Sequence, residues 1–178
     1  MQRLINTLFV ILLFSALVHS SNDTISVEPN QAVVQVNGIV CSFCAFGVER
    51  NLSKLDFLDK TQFGEDGVMI DINAHRVILA LRQDKKIDFP LIYDAIKKGG
   101  YDPVMVYINI RGQVSKQEQR YVLTLPYTKQ TFELLGSDRK KWLGKGLVNI
   151  RGQLDAALIP NLQEGKAIPM YLLVGSAK

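Results

Sequence analysis

The sequence predicts an α+β fold in two parts, on three observations. Residues 32–108 alternate strand-like and helix-like stretches in the order βαββαβ. Residues 109–178 read as strands almost throughout, and "NIRGQV" at 109–114 returns there as "NIRGQL" at 149–154. The first order is that of a ferredoxin-like unit, one antiparallel sheet with two helices on a face. The second, five strands with a short helix between the third and fourth, is the layout of an OB-like β-barrel.

Each element has a local reason. Residues 32–36 (AVVQV) are apolar and β-branched, a strand. From Cys44 the apolar positions Val48, Leu52 and Leu55 recur at helical steps. "VMIDI" at 68–72 and "VILAL" at 77–81 are strands joined through Asn73, Ala74, His75 and Arg76, a hairpin. An extra loop at 60–67 precedes them. Pro90 opens a second helix with Ile92, Ala95, Ile96 and Gly99 on one side, and Gly99-Gly100 ends it. "PVMVYI" at 103–108 is the fourth strand. Beyond it come "YVLTL" at 121–125, "TFELL" at 131–135, a short helical candidate at 137–143 and "PMYLLV" at 169–174. In an OB-like barrel the first and fourth strands are neighbours, so the matching hexapeptides lie side by side. Gly112 and Gly152 then permit the sharp coiling that closure needs. No Gly/Pro/Ser-rich linker separates the halves, so a strand continuous across Ile108–Asn109 is expected.

The first twenty residues narrow the compartment. Arg3, an apolar run at 8–17 and Val18-His19-Ser20 form the three-part pattern of a secretory signal peptide. The run is shorter than the roughly 18–20 residues that cross a bilayer. A secreted or periplasmic protein is expected, with no membrane span after cleavage near Ser20. Residues 21–31 (SNDTISVEPNQ), polar and with a proline, read as a linker. An apolar content of 47% suits a chain that buries a core. The formal net charge of +4 falls to +3 without Arg3, far from a polybasic extreme, and no nucleic-acid partner is expected.

Both cysteines lie in "NGIVCSFCAFGVERNL", at the mouth of the first helix. A disulfide staple, a redox couple and a soft-metal site compete. A CxxC bridge closes too small a loop to remove much unfolded-chain entropy, so it is a poor staple. Topology brings residues 38–44, 73–76 and 99–101 to one end of the unit. A helix N-terminus offers unpaired N–H groups and a positive dipole end, which favour thiolates. Zinc prefers four ligands, and beyond the leader the chain offers only Cys41, Cys44 and His75 as soft or borderline donors. Thiolates select soft ions, and Cu(I) and Hg(II) accept two sulfurs, so one of these is the expected ion.

Gly38-Ile39-Val40-Cys41-Ser42-Phe43-Cys44 resembles the G-M-T-C-x-x-C loop of heavy-metal-associated domains, the family of copper chaperones, metal-pump modules and the periplasmic mercury-binding protein. The following helix, the "VMIDINAHRVILAL" hairpin and "KKGGYDPV" fall in the family's order across 32–108. The resemblance implies that Cys41 and Cys44 bind the metal and that Tyr101 shields it. Ile39 and Val40 stand where the family has Met and Thr. Ile39 still suits a buried plug, while Val40 supplies no hydroxyl. The barrel lies outside the family and would dock a metal transporter or another envelope protein.

Two other readings stay open. CxxC near a βα junction is also the thioredoxin signature, and "KAIPMYLLV" resembles that family's cis-proline strand, although Pro169 lies beyond a complete βαββαβ unit. A contact module with a degenerate metal site is the third. His75 is near the metal end, but a hairpin histidine is usually solvent-exposed. Met69, Met105 and Met170 are spaced as strand residues and read as core. Trp142 among Arg139, Lys140, Lys141 and Lys145 reads as a barrel plug with a solvated outer face. No Ser/His/Asp set, paired acids or phosphate loop occurs, so neither an enzyme nor a catalytic residue is expected.

Overall fold

The computed structural model describes residues 25–39 and 41–173, without the side chains of Ser42 and Cys44; the expected leader at 1–20 lies outside the described residues. The chain is a mixed α/β protein in which a closed five-strand barrel, compatible with an OB-like barrel, carries extra strands on one flank. Its elements are β1 (Gln31–Asn37), α1 (Ser42–Leu52), β2 (Val68–Asp71), β3 (Arg76–Ala80), α2 (Phe89–Lys98) and β4 (Asp102–Gln117), then β5 (Arg120–Thr124), β6 (Thr131–Leu135), β7 (Leu147–Asp155) and β8 (Ile168–Leu172).

The flank runs in the spatial order β2-β3-β1-β4, each neighbouring pair antiparallel. β1 is paired on both sides, by β3 and β4, and carries a nearly unbroken apolar run: Ala32, Val33, Val34 and Val36 are all buried. The helix α2 has a signal at each end. The Asp88 carboxylate accepts from the Leu91 N–H at 3.0 Å and Pro90 sits in the first turn. Lys97 and Lys98 complement the dipole in the last turn. At Gly99 a β-carbon would lie 2.6 Å from Val48 Cγ2, so α1 and α2 approach closely there only because the side chain is absent.

β4 runs unbroken through Ile108 and Asn109, so one strand serves both halves. Past that point it coils, and the barrel closes in the order β4-β5-β6-β8-β7 and back to β4, with only β6 and β8 parallel. The repeated hexapeptides pair about a local two-fold: Ile110 faces Ile150, Asn109 faces Arg151 and Arg111 faces Asn149. Both isoleucines are buried. A β-carbon on Gly112 would meet Leu123 Cδ1 and the Thr124 carbonyl oxygen, each at 2.7 Å; one on Gly152 would meet Met170 Sδ at 2.7 Å. These glycines admit a close neighbour where the sheet curls.

The halves share one apolar cluster, from Val34, Val48 and Ile96 to Phe132, Ile150 and Met170. Phe89 of α2 meets Phe132 of β6 edge to face, centroids 6.1 Å apart. The Gln130 side chain accepts from the Ile87 N–H at 2.9 Å and donates to the Ile87 carbonyl at 2.7 Å.

Two expectations need correcting, and one element is new. Of the expected linker at 21–31, the described part at 27–31 is tied to the sheet. Val27 is buried, its carbonyl accepts from Asn109 Nδ2 at 2.8 Å, and the Asn30 N–H donates to the Asn109 carbonyl at 2.8 Å. The buried Asn109 side chain thus places its NH₂ on this segment, while its Oδ1 has no partner among the described residues. Met69 is 43% exposed, because it lies on the edge strand β2 rather than in the core; Met170 is fully buried. The segment between β7 and β8 holds a 3₁₀ turn, Ala156–Asn161, started by the Asp155 carboxylate accepting from the Ala157 N–H at 2.9 Å. Among the described residues no helix is long and apolar enough to cross a membrane.

Candidate metal centre

The loop leading into α1 is set by what lies beneath it. Gly38 turns the chain at φ +96°, a conformation disfavoured for a residue with a β-carbon, and Ile39 then drops fully into the core. The next described residue, half-buried Cys41, immediately precedes α1, and its carbonyl accepts from the Ala45 N–H at 3.0 Å. Cys44 sits in the first turn. No acidic side chain occupies that turn, so none offsets the positive end of the helix dipole.

Two neighbours hold this loop. The hairpin between β2 and β3 brings His75, whose Nδ1–H donates to the Ile39 carbonyl at 2.9 Å. That bond assigns the proton to Nδ1 and leaves Nε2 as the second ring nitrogen. The His75 carbonyl in turn accepts from the Val36 N–H at 2.9 Å. From the other side comes Tyr101, half-buried, at the turn after α2. Its ring passes 3.2 Å from where a β-carbon on Gly38 would stand, and 3.5 Å from one on Gly99. The three segments expected to converge do so, with Tyr101 against the loop and His75 bonded two residues before Cys41.

Cys41 is disulfide-bonded, and the chain has only one other cysteine, Cys44. A disulfide sulfur has no thiolate charge to offer a metal, so the ligand chemistry expected of this loop belongs to its reduced form. Among the described residues no three or more His, Cys, Asp or Glu side chains gather as a metal-binding group. A cavity of about 490 Å³ lies elsewhere, at the start of α2 against the barrel, between Lys86, Lys129 and Lys166. None of its lining residues belongs to the cysteine loop. Pro169, raised by the thioredoxin comparison, pairs with Glu133 inside the barrel.

Sequence reasoning passed over Phe43 and Phe46. They are 87% and 60% exposed on α1, an apolar rim beside the cysteines. The available signal was that both fall off the Val48–Leu52 stripe.

No family model matches the chain, and no curated protein matches it. Among solved structures it is similar to a CopZ metallochaperone, at 26% identity over 42% of this chain and 98% of that one, with a TM-score of 0.35. At that score the likeness assigns no property to this chain.

Proposed function

We propose that this chain is an exported carrier of a soft ion, Cu(I) or Hg(II), held by the thiolates of Cys41 and Cys44 in the reduced protein. The observation that carries this reading is the CxxC at the opening of α1, above the buried Ile39 and held by His75 and Tyr101. It follows a β-strand in a four-strand unit of order 2-3-1-4 with two helical crossovers, which supports reading this unit as ferredoxin-like. Loading begins with reduction of the disulfide. An envelope dithiol gives up two electrons and two protons, becomes a disulfide itself and leaves two thiols here. Both protons are released as the thiolates take the ion. The ion leaves by ligand exchange: a partner thiolate adds to form a three-sulfur intermediate and one local sulfur departs, then a second partner thiolate adds and the other local sulfur departs, so that two sulfurs hold the ion before and after. Ile39 and Tyr101 hold the loop so that little reorganisation accompanies each exchange, and Phe43 with Phe46 offers the partner an apolar rim. A metal transporter or another envelope protein suits that partner.

The test is titration of the reduced protein with Cu(I) and with Hg(II). One ion per chain is expected, and Cys41→Ser or Cys44→Ser should each weaken binding by orders of magnitude, because no third thiol can substitute. Serine variants that titrate like the parent would remove these ligands. The bonded state of Cys41 favours one second reading, a thiol–disulfide redox protein. Catalytic reduction or reshuffling of a model disulfide by the metal-free protein would support that rival.

A further inference from the structure

The end of the barrel opposite the cysteine loop carries a pattern that the metal chemistry does not use. β4 starts at Asp102, next to Tyr101, and ends at Gln117, paired there with Arg120. β6 finishes at the same far end, and the 3₁₀ turn Ser137–Trp142 closes it, with the Arg139 guanidinium 5.8 Å from the Tyr121 ring centroid. The chain then makes two left-handed glycine turns, Gly144 at φ +76° and Gly146 at φ +72°, and enters β7 at Leu147.

Over residues 137–147 there are four cations, Arg139, Lys140, Lys141 and Lys145, and one acid, Asp138. Asp138 is already engaged by Lys141 at 3.3 Å, and Arg139 donates to the Gly136 carbonyl at 2.9 Å. Two leucines among and just after the lysines face solvent: Leu143 is 45% exposed and Leu147 48%. Nothing in barrel closure requires leucine at those places. Trp142 is only 5% exposed, its indole N–H has no partner among the described residues, and the Lys141 and Lys145 ammoniums lie 5.1 and 5.8 Å from its ring centroid.

We infer that residues 137–147 form a docking tip for an anionic lipid surface. Lys140, Lys141 and Lys145 sit at the level of the phosphates, and Leu143 and Leu147 enter the boundary between headgroups and acyl chains. Apolar side chains ringed by flexible cations match that boundary, with the apolar part buried and the charges held among the anionic headgroups. Single-stranded nucleic acid, the other polyanion, fits worse. Its bases need an open aromatic face, and here the one tryptophan is buried beneath lysines while the exposed residues are leucines. Docked in this way, the protein presents its cysteine loop away from the membrane.

Trp142 is the only tryptophan of the chain, so its fluorescence reads this tip directly. The purified, processed protein is mixed with vesicles of phosphatidylglycerol and phosphatidylcholine, with vesicles of phosphatidylcholine alone, and with a single-stranded oligonucleotide; co-sedimentation runs alongside. Binding to the anionic vesicles alone is expected, with a change in Trp142 emission and release at high salt. Lys140→Glu with Lys145→Glu should weaken it about tenfold or more, and Leu143→Ser with Leu147→Ser several-fold. All four positions are exposed, and circular dichroism checks the fold; Lys140→Gln with Lys145→Gln replaces a charge-reversed variant that fails to fold. Equal binding to both vesicles, parental binding by the charge variants, or preference for the oligonucleotide would each overturn the inference.

Discussion

The cysteine end and the barrel end share one strand, β4, and are built in opposite ways. The barrel is closed by backbone pairing all round, so its order comes from register and from side chains that fill a fixed interior. The cysteine loop belongs to no ladder. It is held by three separate contacts: Ile39 from below, the His75 bond and the Tyr101 ring. A closed sheet tolerates little change inside and much outside. A loop held by three contacts can change its bonding state without disturbing the sheet beneath, which the proposed exchange between disulfide and metal-bound dithiolate would require.

The largest effect on this contrast should come from the contact joining the two halves. Phe132 is fully buried and meets Phe89 edge to face, so Phe132→Ala should cost about 3–5 kcal/mol. With β4 shared, chemical denaturation should remain one transition by both circular dichroism and Trp142 fluorescence. Two separated transitions would show that the ends are energetically independent.

Next comes the barrel seam. Gly152→Ala places a β-carbon against Met170 and 3.0 Å from the Tyr171 carbonyl oxygen, and overpacking of this kind costs about 1–3 kcal/mol. Denaturant midpoints should fall, while Hg(II) affinity of the reduced protein stays at the parental value. A matching loss of metal affinity would mean that the cysteine loop depends on barrel closure.

His75→Ala sharpens the contrast from the other side. Losing the bond to the Ile39 carbonyl should cost about 0.5–1.5 kcal/mol of stability. Metal affinity should change far less than in either cysteine variant. An equal drop would make His75 a ligand through Nε2.

The smallest effect is one of pH. The Asp59 carboxyl is held below its ordinary value near 3.8, first by the Thr61 hydroxyl, then by the Thr61 N–H and the Gln62 amide. A depressed carboxyl contributes stability above its unfolded pKa and loses it as pH falls through the lower folded value. Amide protection in residues 59–67, taken relative to the intrinsic exchange rate at each pH, should therefore fall on acidification below about pH 4, and Asp59→Asn should remove that dependence. The cysteine loop, whose described contacts include no carboxylate, should not follow.

What the sequence made legible was whatever local pattern decides. The βαββαβ order and its hairpin follow from periodicity and turn residues. The meeting of the two "NIRGQ" segments follows from the strand order of a five-strand barrel. Residues 25–31 were opaque because their polar composition hides one apolar anchor, Val27, and one distant partner, Asn109. Met69 was opaque because a strand's spacing does not say which face of an edge strand is covered. The bonding state of Cys41 is set by the redox potential around the protein, which composition does not encode.

The most direct test of the central claim is to count ions and thiols on the same sample, before and after reduction. The oxidised protein should bind no Cu(I) or Hg(II) and show no titratable thiol. The reduced protein should show two thiols, and then bind one ion as both thiols become unreactive. An oxidised protein that binds the ion equally well, or a reduced one that keeps both thiols reactive in the presence of the ion, would contradict that claim.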